Sequence, residues 1–140
     1  MRLVDHAGVE LLDVGDCRRL LAGCEVGRLG VVDGGQPVIF PVNYALAGDT
    51  IVFRTAEGTK LSHANGAPAC FEVDDIDPAT HSGWSVLAVG RLEELGPYDE
   101  PEAASLRALP LSPWASGERS HWMRLVTTRV SGRRVGGTIR

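Results

Sequence analysis

Three β-type segments follow one another between Arg28 and Thr55 with only short turns between them, and this run constrains the fold most. Asp33-Gly34-Gly35 separates the first two segments and is a hairpin signal, because glycine adopts the positive φ angles that tight turns require. Gly48-Asp49 then turns the chain into the third segment. The pattern predicts an antiparallel three-strand meander.

Three further strand patterns lie in the second half of the chain. Residues 69–74 and 122–130 alternate in the period of a half-buried strand, whereas residues 83–92 are nearly continuously apolar and are predicted to be buried on both faces. Gly90 inside the apolar run predicts a bend of the kind that barrels need at their corners. We therefore predict a mainly β fold, a six-stranded small closed or split barrel, in a single domain over residues 1–140.

Short helices are predicted at the joints of this barrel. Asp13 or Asp16 can cap a helix whose apolar positions run from Cys17 to Cys24 at i, i+3, i+4 and i+7 spacing. Two more helices are predicted from about residue 57 to 65 and from 97 to 109. Residues 74–78 are predicted to form an acidic, solvated loop.

Composition and charge argue against several classes of protein. A net charge of -4 and a pI near 5.5 do not provide the basic surface that nucleic acid requires. No run approaches the ~18 apolar residues of a membrane span, and the N-terminus lacks the apolar core of a signal peptide. Cys17 and Cys24 lie too far apart on one helix for a disulfide, and no histidine lies at zinc-ligand spacing. We therefore expect a cytoplasmic protein without a structural metal.

Several groups suited to binding a phosphate fall between Arg54 and Lys60. Arg54 ends an apolar strand, and Thr55 and Thr59 carry hydroxyls. Gly58 lets backbone approach a ligand closely, and Lys60 lies in the first turn of a predicted helix, where the helix dipole favours an anion. This arrangement predicts a site for a phosphate monoester. Arg54 and Lys60 are equally consistent with solvated surface charges at a strand-to-helix turn.

The preceding strand carries two prolines in an otherwise apolar pattern. Pro37 and Pro41 remove backbone donors from the strand, which predicts an edge, a bulge or backbone groups that face something other than another strand. Asn43 follows closely and can both donate and accept hydrogen bonds. Such an edge suits a flat heterocycle with alternating donors and acceptors.

The order of these segments resembles the pyridoxamine 5'-phosphate oxidase-like flavin-binding family over about residues 12–135. The resemblance is carried by Val26–Gly30, Pro37–Tyr44, Phe53–Lys60, Gly83–Gly90 and Val130–Arg134. It implies a split β-barrel of the FMN-binding type. It also implies a homodimer that holds FMN at the subunit interface and acts on a small molecule.

The resemblance also assigns roles to individual residues. Four polar residues would hold the FMN phosphate with a glycine permitting close approach, three residues would line the edge of the flavin ring, and a tryptophan of the second subunit would complete the pocket. The phosphate ligands would be Arg54, Thr55, Thr59 and Lys60, and the glycine would be Gly58. Pro41, Val42 and Asn43 would line the edge of the flavin ring. The tryptophan would be Trp84 or Trp114. Both tryptophans are at least as consistent with core or dimer-interface anchors.

The implied activity is an FMN-dependent oxidoreductase that reduces or oxidises an unidentified small molecule. No residue has the features of an obligatory acid or base; Tyr44 and His63 are possible proton donors, although His63 is more typical of a surface residue. The C-terminal segment has no counterpart of the substrate site of the vitamin-B6 oxidases, and Val52-Phe53-Arg54 lacks the histidine of the nitroimidazole-reducing branch. A deazaflavin-dependent reductase and a non-catalytic flavin- or haem-binding protein on the same fold remain alternatives.

Overall fold

The computed structural model describes residues 3–4 (backbone only), 9–55, 65–96, 101–114 and 121–136. In chain order its elements are β1 (Leu3–Val4), β2 (Glu10–Leu11), α1 (Val14–Ala22), β3 (Val26–Asp33), β4 (Gln36–Ala47), β5 (Thr50–Thr55), β6 (Pro68–Asp77), β7 (Ser82–Glu94), α2 (Pro101–Arg107) and β8 (His121–Val135).

Strands β3 to β8 close into a ring. Their order is β8-β5-β4-β3-β6-β7, and β7 pairs back with β8, while the short strands β2 and β1 extend the sheet from the end of β8. All of these pairings are antiparallel. The predicted six-stranded barrel is therefore confirmed.

The predicted meander is present as β3, β4 and β5. Gly34 and Gly35 have φ angles of 56° and 81°, and Gly48 has a φ of 61°. These positive values are the ones that glycine adopts without steric cost, so the two turns form where the glycines lie. Asp33 pairs with Gln36 across the first turn and Ala47 with Thr50 across the second.

The bend predicted at Gly90 lies at a β-bulge between β7 and β8, in which Thr128 of β8 has no strand partner. The register between β7 and β8 shifts between Val89 and Gly90. A Cβ atom on Gly90 would lie 2.0 Å from the carbonyl oxygen of Val126, so no side chain fits at this corner. The glycine lets the two backbones approach where the barrel turns.

The core fills the inside of the ring, and α1 closes one end of it. Large side chains such as Phe53 and Phe71 are completely buried there. Asp13 caps α1 by accepting a hydrogen bond from the backbone N–H of Asp16 at 2.7 Å, and Gly23 ends the helix. Cys24 was predicted to lie on this helix but follows its C-cap.

Two predictions for the second hairpin are wrong. The acidic stretch from Asp74 to Asp77 is not a loop but the last part of β6, because it pairs residue by residue with the first part of β7. Strand β7 is not buried on both faces: Val86 is fully buried, whereas Leu87 is 38% exposed. Leu87 lies on the outside of the barrel, and alternation along the strand decides its exposure.

A second apolar cluster lies outside the ring. Residues 101–114, here called the cap segment, contain α2 and pack Leu106 and Leu111 against Val52 of β5 and Trp122 of β8. Arg124 of β8 joins the cap through an ion pair to Glu102 at 2.7 Å and also pairs with Glu93 of β7 at 3.0 Å. The predicted helix over residues 97–109 is present as α2, which ends at Arg107, and its residues 97–100 lie outside the described residues. The predicted helix from residue 57 lies almost wholly outside the described residues.

Neither described helix is long and apolar enough to cross a membrane. The described ranges contain no group of three or more His, Cys, Asp and Glu side chains that could hold a metal ion. Cys17, Cys24 and Cys70 are free thiols.

Candidate functional site

Arg54 lies on the outer face of β5, next to the cap segment. Its guanidinium is 5.1 Å from the centre of the Trp122 ring and donates from Nη1 to the carbonyl oxygen of Leu111 at 3.3 Å. A guanidinium over an indole face is attracted by the ring quadrupole, and this contact orients the side chain. The structure therefore holds a positive charge where β5, β8 and the cap meet.

Thr55 is the last residue of β5 and is only 6% exposed. Its Oγ1 atom is buried and has no hydrogen-bond partner in the described part of the chain. A buried hydroxyl without a partner costs about 1–3 kcal/mol, which a bound acceptor would offset. The end of β5 therefore combines a cation with an unused donor, which is the donor set that a phosphate group requires.

His121 is the strand partner of Thr55 across β5 and β8. Its Nε2 atom lies 3.0 Å from a carboxylate oxygen of Glu94, within ion-pair distance, but the two atoms are not aligned for a hydrogen bond. Because successive side chains alternate along a strand, Thr55 and His121 lie on the opposite face from Arg54. A ligand that reaches both Arg54 and Thr55 must therefore bind at the strand end, where the chain turns.

Three of the predicted phosphate ligands, Gly58, Thr59 and Lys60, lie outside the described residues. Their roles stay predictions. They follow Thr55 closely in the sequence, so the end of β5 is the described part of the chain nearest to them in sequence.

Asn43 lies on the outer face of β4, beside Arg54. Tyr44 pairs with Phe53, which places Asn43 and Arg54 next to each other on neighbouring strands. The Asn43 side chain accepts from the backbone N–H of Trp114 at 2.8 Å and donates to the carbonyl oxygen of Glu25 at 3.5 Å. The cap segment therefore contacts both Asn43 and Arg54 within one subunit, while the Trp114 side chain remains 72% exposed.

Pro41 and Val42 point to opposite sides of the barrel wall. Pro41 is exposed and shares the outer face with Asn43, whereas Val42 packs against the core cluster. Only the backbone of Val42 is available to a ligand on the outer face. Because successive side chains of a strand point to opposite faces, the alternation in the sequence is sufficient to predict this difference between Pro41 and Val42.

Trp84 lies far from these residues within one subunit. It pairs with Asp75 of β6 and Arg134 of β8 and lines a separate cavity of about 240 Å³. The structure thus brings Asn43, Arg54, Thr55 and the backbone of Trp114 to one region and leaves Trp84 apart from it.

An ionic network on the same outer face was missed by the sequence prediction. Arg28 of β3 is the strand partner of both Pro41 and Glu72, and its Nη1 lies 3.2 Å from a carboxylate oxygen of Glu72 and of Asp74. Partial burial and a hydrogen bond with Asp74 raise the pKa of Glu72 to about 7. The spacing of two between Glu72 and Asp74 on a strand could have predicted that they share a face.

The closed ring of six antiparallel strands, with a helix across one end and a cation at the end of β5, defines a split β-barrel protein. A sequence profile described as pyridoxamine 5'-phosphate oxidase matches residues 13–134, and the chain belongs to this family.

Individual relatives agree with this assignment. An uncharacterized protein of Mycobacterium tuberculosis, Rv0080, is 32% identical over 111 residues, which cover 75% of this chain and 71% of that protein. Among solved structures, the FAD binding protein from Mycobacterium smegmatis is 34% identical, with a TM-score of 0.74, over 89% of this chain and 95% of its own. A conserved protein of unknown function from Corynebacterium diphtheriae, DIP1874, is 32% identical with a TM-score of 0.74, over 89% and 96% of the two chains.

Proposed function

We propose that this protein is a flavin-dependent oxidoreductase that binds FMN by its phosphate at the end of β5 and acts on a small molecule. The observation that carries the proposal is the buried hydroxyl of Thr55, the residue that follows Arg54 at the end of β5; this hydroxyl has no hydrogen-bond partner in the described chain. A phosphate oxygen would accept from this hydroxyl, and the guanidinium would neutralise the phosphate charge.

FAD is a second candidate for the cofactor. It is favoured by the similarity to the FAD binding protein from Mycobacterium smegmatis, which extends over 89% of this chain. FMN and FAD share the flavin ring and the first phosphate, so the same corner would hold either one. A deazaflavin, or a flavin or haem bound without turnover, would be an outcome of the same binding experiments.

Each residue of the corner has a distinct part in the proposal. Arg54 and Thr55 hold the phosphate, together with Thr59 and Lys60 and the close backbone approach at Gly58. Pro41 and Asn43 line the edge of the flavin ring on the outer face of β4, and Val42 contacts the same edge through its backbone. When bound, the flavin supplies the electron transfer, and the protein supplies orientation and hydrogen bonds.

We infer that a second copy of the chain completes the site. Pro37, Ile39, Pro41 and Asn43 alternate along the outer face of β4, so the ring edge is continuous with an apolar depression of about 470 Å³ around Ile39. Ile39 is 68% exposed and Val32 is 64% exposed. Apolar surface that adjoins a predicted cofactor site is what a homodimer with an interfacial cofactor requires. Trp84 and the side chain of Trp114 are the aromatic groups that a partner subunit would contribute.

Replacing Ile39 by glutamate tests this arrangement. The Ile39→Glu variant is expected to be monomeric and to bind FMN at least tenfold more weakly, because the charge would be buried without a partner in the interface. Analytical ultracentrifugation and a fluorescence titration measure the two effects. Val14→Glu, at a 49% exposed position on α1, is the control and should change neither. A dimeric Ile39→Glu variant with wild-type affinity would contradict the proposed interface.

Replacing Thr55 by valine separates a ligand-binding role from a structural one. Since the hydroxyl has no partner in the described chain, Thr55→Val is expected to stabilise the cofactor-free protein by about 1 kcal/mol. The same change should weaken FMN binding about tenfold, because a charge-assisted hydrogen bond is lost. Chemical denaturation and titration provide the two numbers. A loss of stability together with unchanged affinity would show that the hydroxyl has an internal partner instead.

The redox part of the proposal is tested with the FMN-loaded protein. Under anaerobic conditions, we expect NADH or NADPH to reduce the bound flavin faster than it reduces free FMN, which is measured as the loss of flavin absorbance. An added quinone should reoxidise the bound flavin and restore this absorbance. If neither step exceeds the rate with free FMN, the protein is a flavin binder without turnover of these partners.

A further inference from the structure

Arg28 is the only lysine or arginine on strands β3, β4 and β6. Its side chain lies on the outer face of the barrel, because its neighbours Gly27 and Leu29 are buried on the inner face. Arg28 is the strand partner of Pro41, and residues that pair across two antiparallel strands share one face of the sheet. A guanidinium therefore lies beside the proposed edge of the flavin ring.

The positions of Arg28 and Arg54 match the two ends of FMN. Arg54 is next to Asn43 on the neighbouring strand, and Pro41, the partner of Arg28, lies two residues before Asn43. Strands are about 4.8 Å apart and each residue advances about 3.3 Å along a strand, so the Cα atoms of the two arginines are about 12 Å apart. In FMN the ribityl chain separates the phosphate from the ring. A flavin held by its phosphate at Arg54 can therefore place its ring beside Arg28.

The hydrogen bonds of Arg28 leave two of its nitrogen atoms available. Its Nη1 atom donates to a carboxylate oxygen of Glu72 and to one of Asp74, both at 3.2 Å. The Nε and Nη2 atoms make no hydrogen bond to any residue that the structure describes. The two carboxylates therefore hold the side chain by one nitrogen, and the other two nitrogens can donate to a ligand on the outer face.

The cluster of Arg28, Glu72 and Asp74 contains one cation and two carboxyl groups. Partial burial and the neighbouring Asp74 raise the pKa of Glu72 to about 7. On the adjacent strand β7, the partner of Glu72 is Leu87 and the partner of Asp74 is Ser85, so this strand adds no charge opposite the two carboxyl groups. Above neutral pH the negative charges of the cluster therefore exceed its positive charge.

We propose that Arg28 donates hydrogen bonds to the ring of the bound flavin and favours its reduced state, while Glu72 and Asp74 act as positioning residues for the guanidinium. This inference rests on the flavin site proposed above and adds an effect on the reduction potential to it. A flavin ring gains negative charge on reduction, and a fixed guanidinium beside the ring stabilises that charge.

The test is the midpoint potential of FMN bound to the full chain, measured at about pH 8.5, where Glu72 is ionised. The shift from the potential of free FMN compares the affinities for reduced and oxidised FMN, so an equal loss of both affinities does not change it. Arg28→Gln should decrease the preference for reduced FMN at least tenfold. This decrease corresponds to a potential that is more negative by about 30 mV for a two-electron couple.

Glu72→Gln should have the opposite effect. Glutamine retains an oxygen that accepts from Nη1, and Asp74 still holds the guanidinium, but one negative charge beside Arg28 is removed. The preference for reduced FMN should therefore increase at least threefold. A role of the cluster in the fold alone would move the two variants in the same direction or leave both unchanged.

Arg18→Gln is the matched control. The Arg18 side chain is 54% exposed, close to the 49% of Arg28, and it pairs at 2.6 Å with Asp49, which lies in the turn at the opposite end of β5 from Arg54. The control should retain the wild-type potential. FMN bound to Arg28→Gln at the wild-type potential, a decrease in both Arg28→Gln and Glu72→Gln, or an equal shift in the control would overturn this inference and leave the flavin site in place. A wild-type protein that does not bind FMN would overturn both proposals.

Discussion

Replacing Arg54 by methionine is expected to weaken FMN binding about 10- to 150-fold. Hydrogen bonds to charged groups contribute about 1.5–3 kcal/mol, and this is the free energy that the phosphate loses with the guanidinium. Methionine retains an unbranched side chain of comparable reach over Trp122, so the packing of the cap segment should largely survive. Fluorescence quenching of FMN on titration measures the affinity.

The matched control for this variant is Arg91→Met. Arg91 is an exposed strand arginine whose guanidinium also donates to one backbone carbonyl, that of Gly66, at 3.1 Å. Its replacement should leave the affinity for FMN unchanged. Wild-type affinity in Arg54→Met, or an equal loss in Arg91→Met, would contradict the assignment of Arg54 to the phosphate.

Replacing Gly90 by alanine is expected to have the largest effect on stability. The new Cβ atom would meet the carbonyl oxygen of Val126 at 2.0 Å and its carbonyl carbon at 2.8 Å, and these are backbone atoms of a paired strand that cannot rotate away. Overpacking costs about 1–3 kcal/mol when side chains can adjust, so we expect a loss of about 3 kcal/mol or more here. Chemical denaturation measures the change in the free energy of unfolding.

Gly15→Ala is the control for this substitution. Its Cβ atom would lie 3.4 Å from the side chain of Asp13, an ordinary contact, and alanine favours the helix over glycine by about 0.5–1 kcal/mol. This variant should be as stable as the wild type or more so. A Gly90→Ala protein that unfolds at the wild-type denaturant concentration would contradict the close backbone approach at the barrel corner.

The parts of the fold that sequence predicted are those that depend on nearby residues. The turns at Gly34 and Gly48 require a positive φ. Asp13 caps α1 by accepting a hydrogen bond from the backbone N–H three residues further along the chain. Gly90 lies at a bend where no side chain fits. Each of these features is determined within one turn or one strand, so a local pattern was sufficient.

The features that sequence did not predict depend on pairing between distant segments. Asp74–Asp77 has the composition of a loop, but its hydrogen-bonded register with β7 makes it a strand. Arg54 donates to a carbonyl 57 residues away, and Asn43 accepts from a backbone N–H 71 residues away. No local pattern indicates that the cap segment returns to these two residues, so the contact that joins them was found only in the structure.

The central claim is that this barrel binds a flavin nucleotide at the end of β5. The most direct measurement is the absorbance spectrum of protein purified without added cofactor, followed by titration with FMN, FAD and a deazaflavin while tryptophan fluorescence is monitored. We predict saturable binding of FMN with one flavin per subunit, and binding of FAD if the corner accepts the longer nucleotide. Binding of deazaflavin alone would transfer the protein to the deazaflavin-dependent branch, and binding of none of the three would contradict the account.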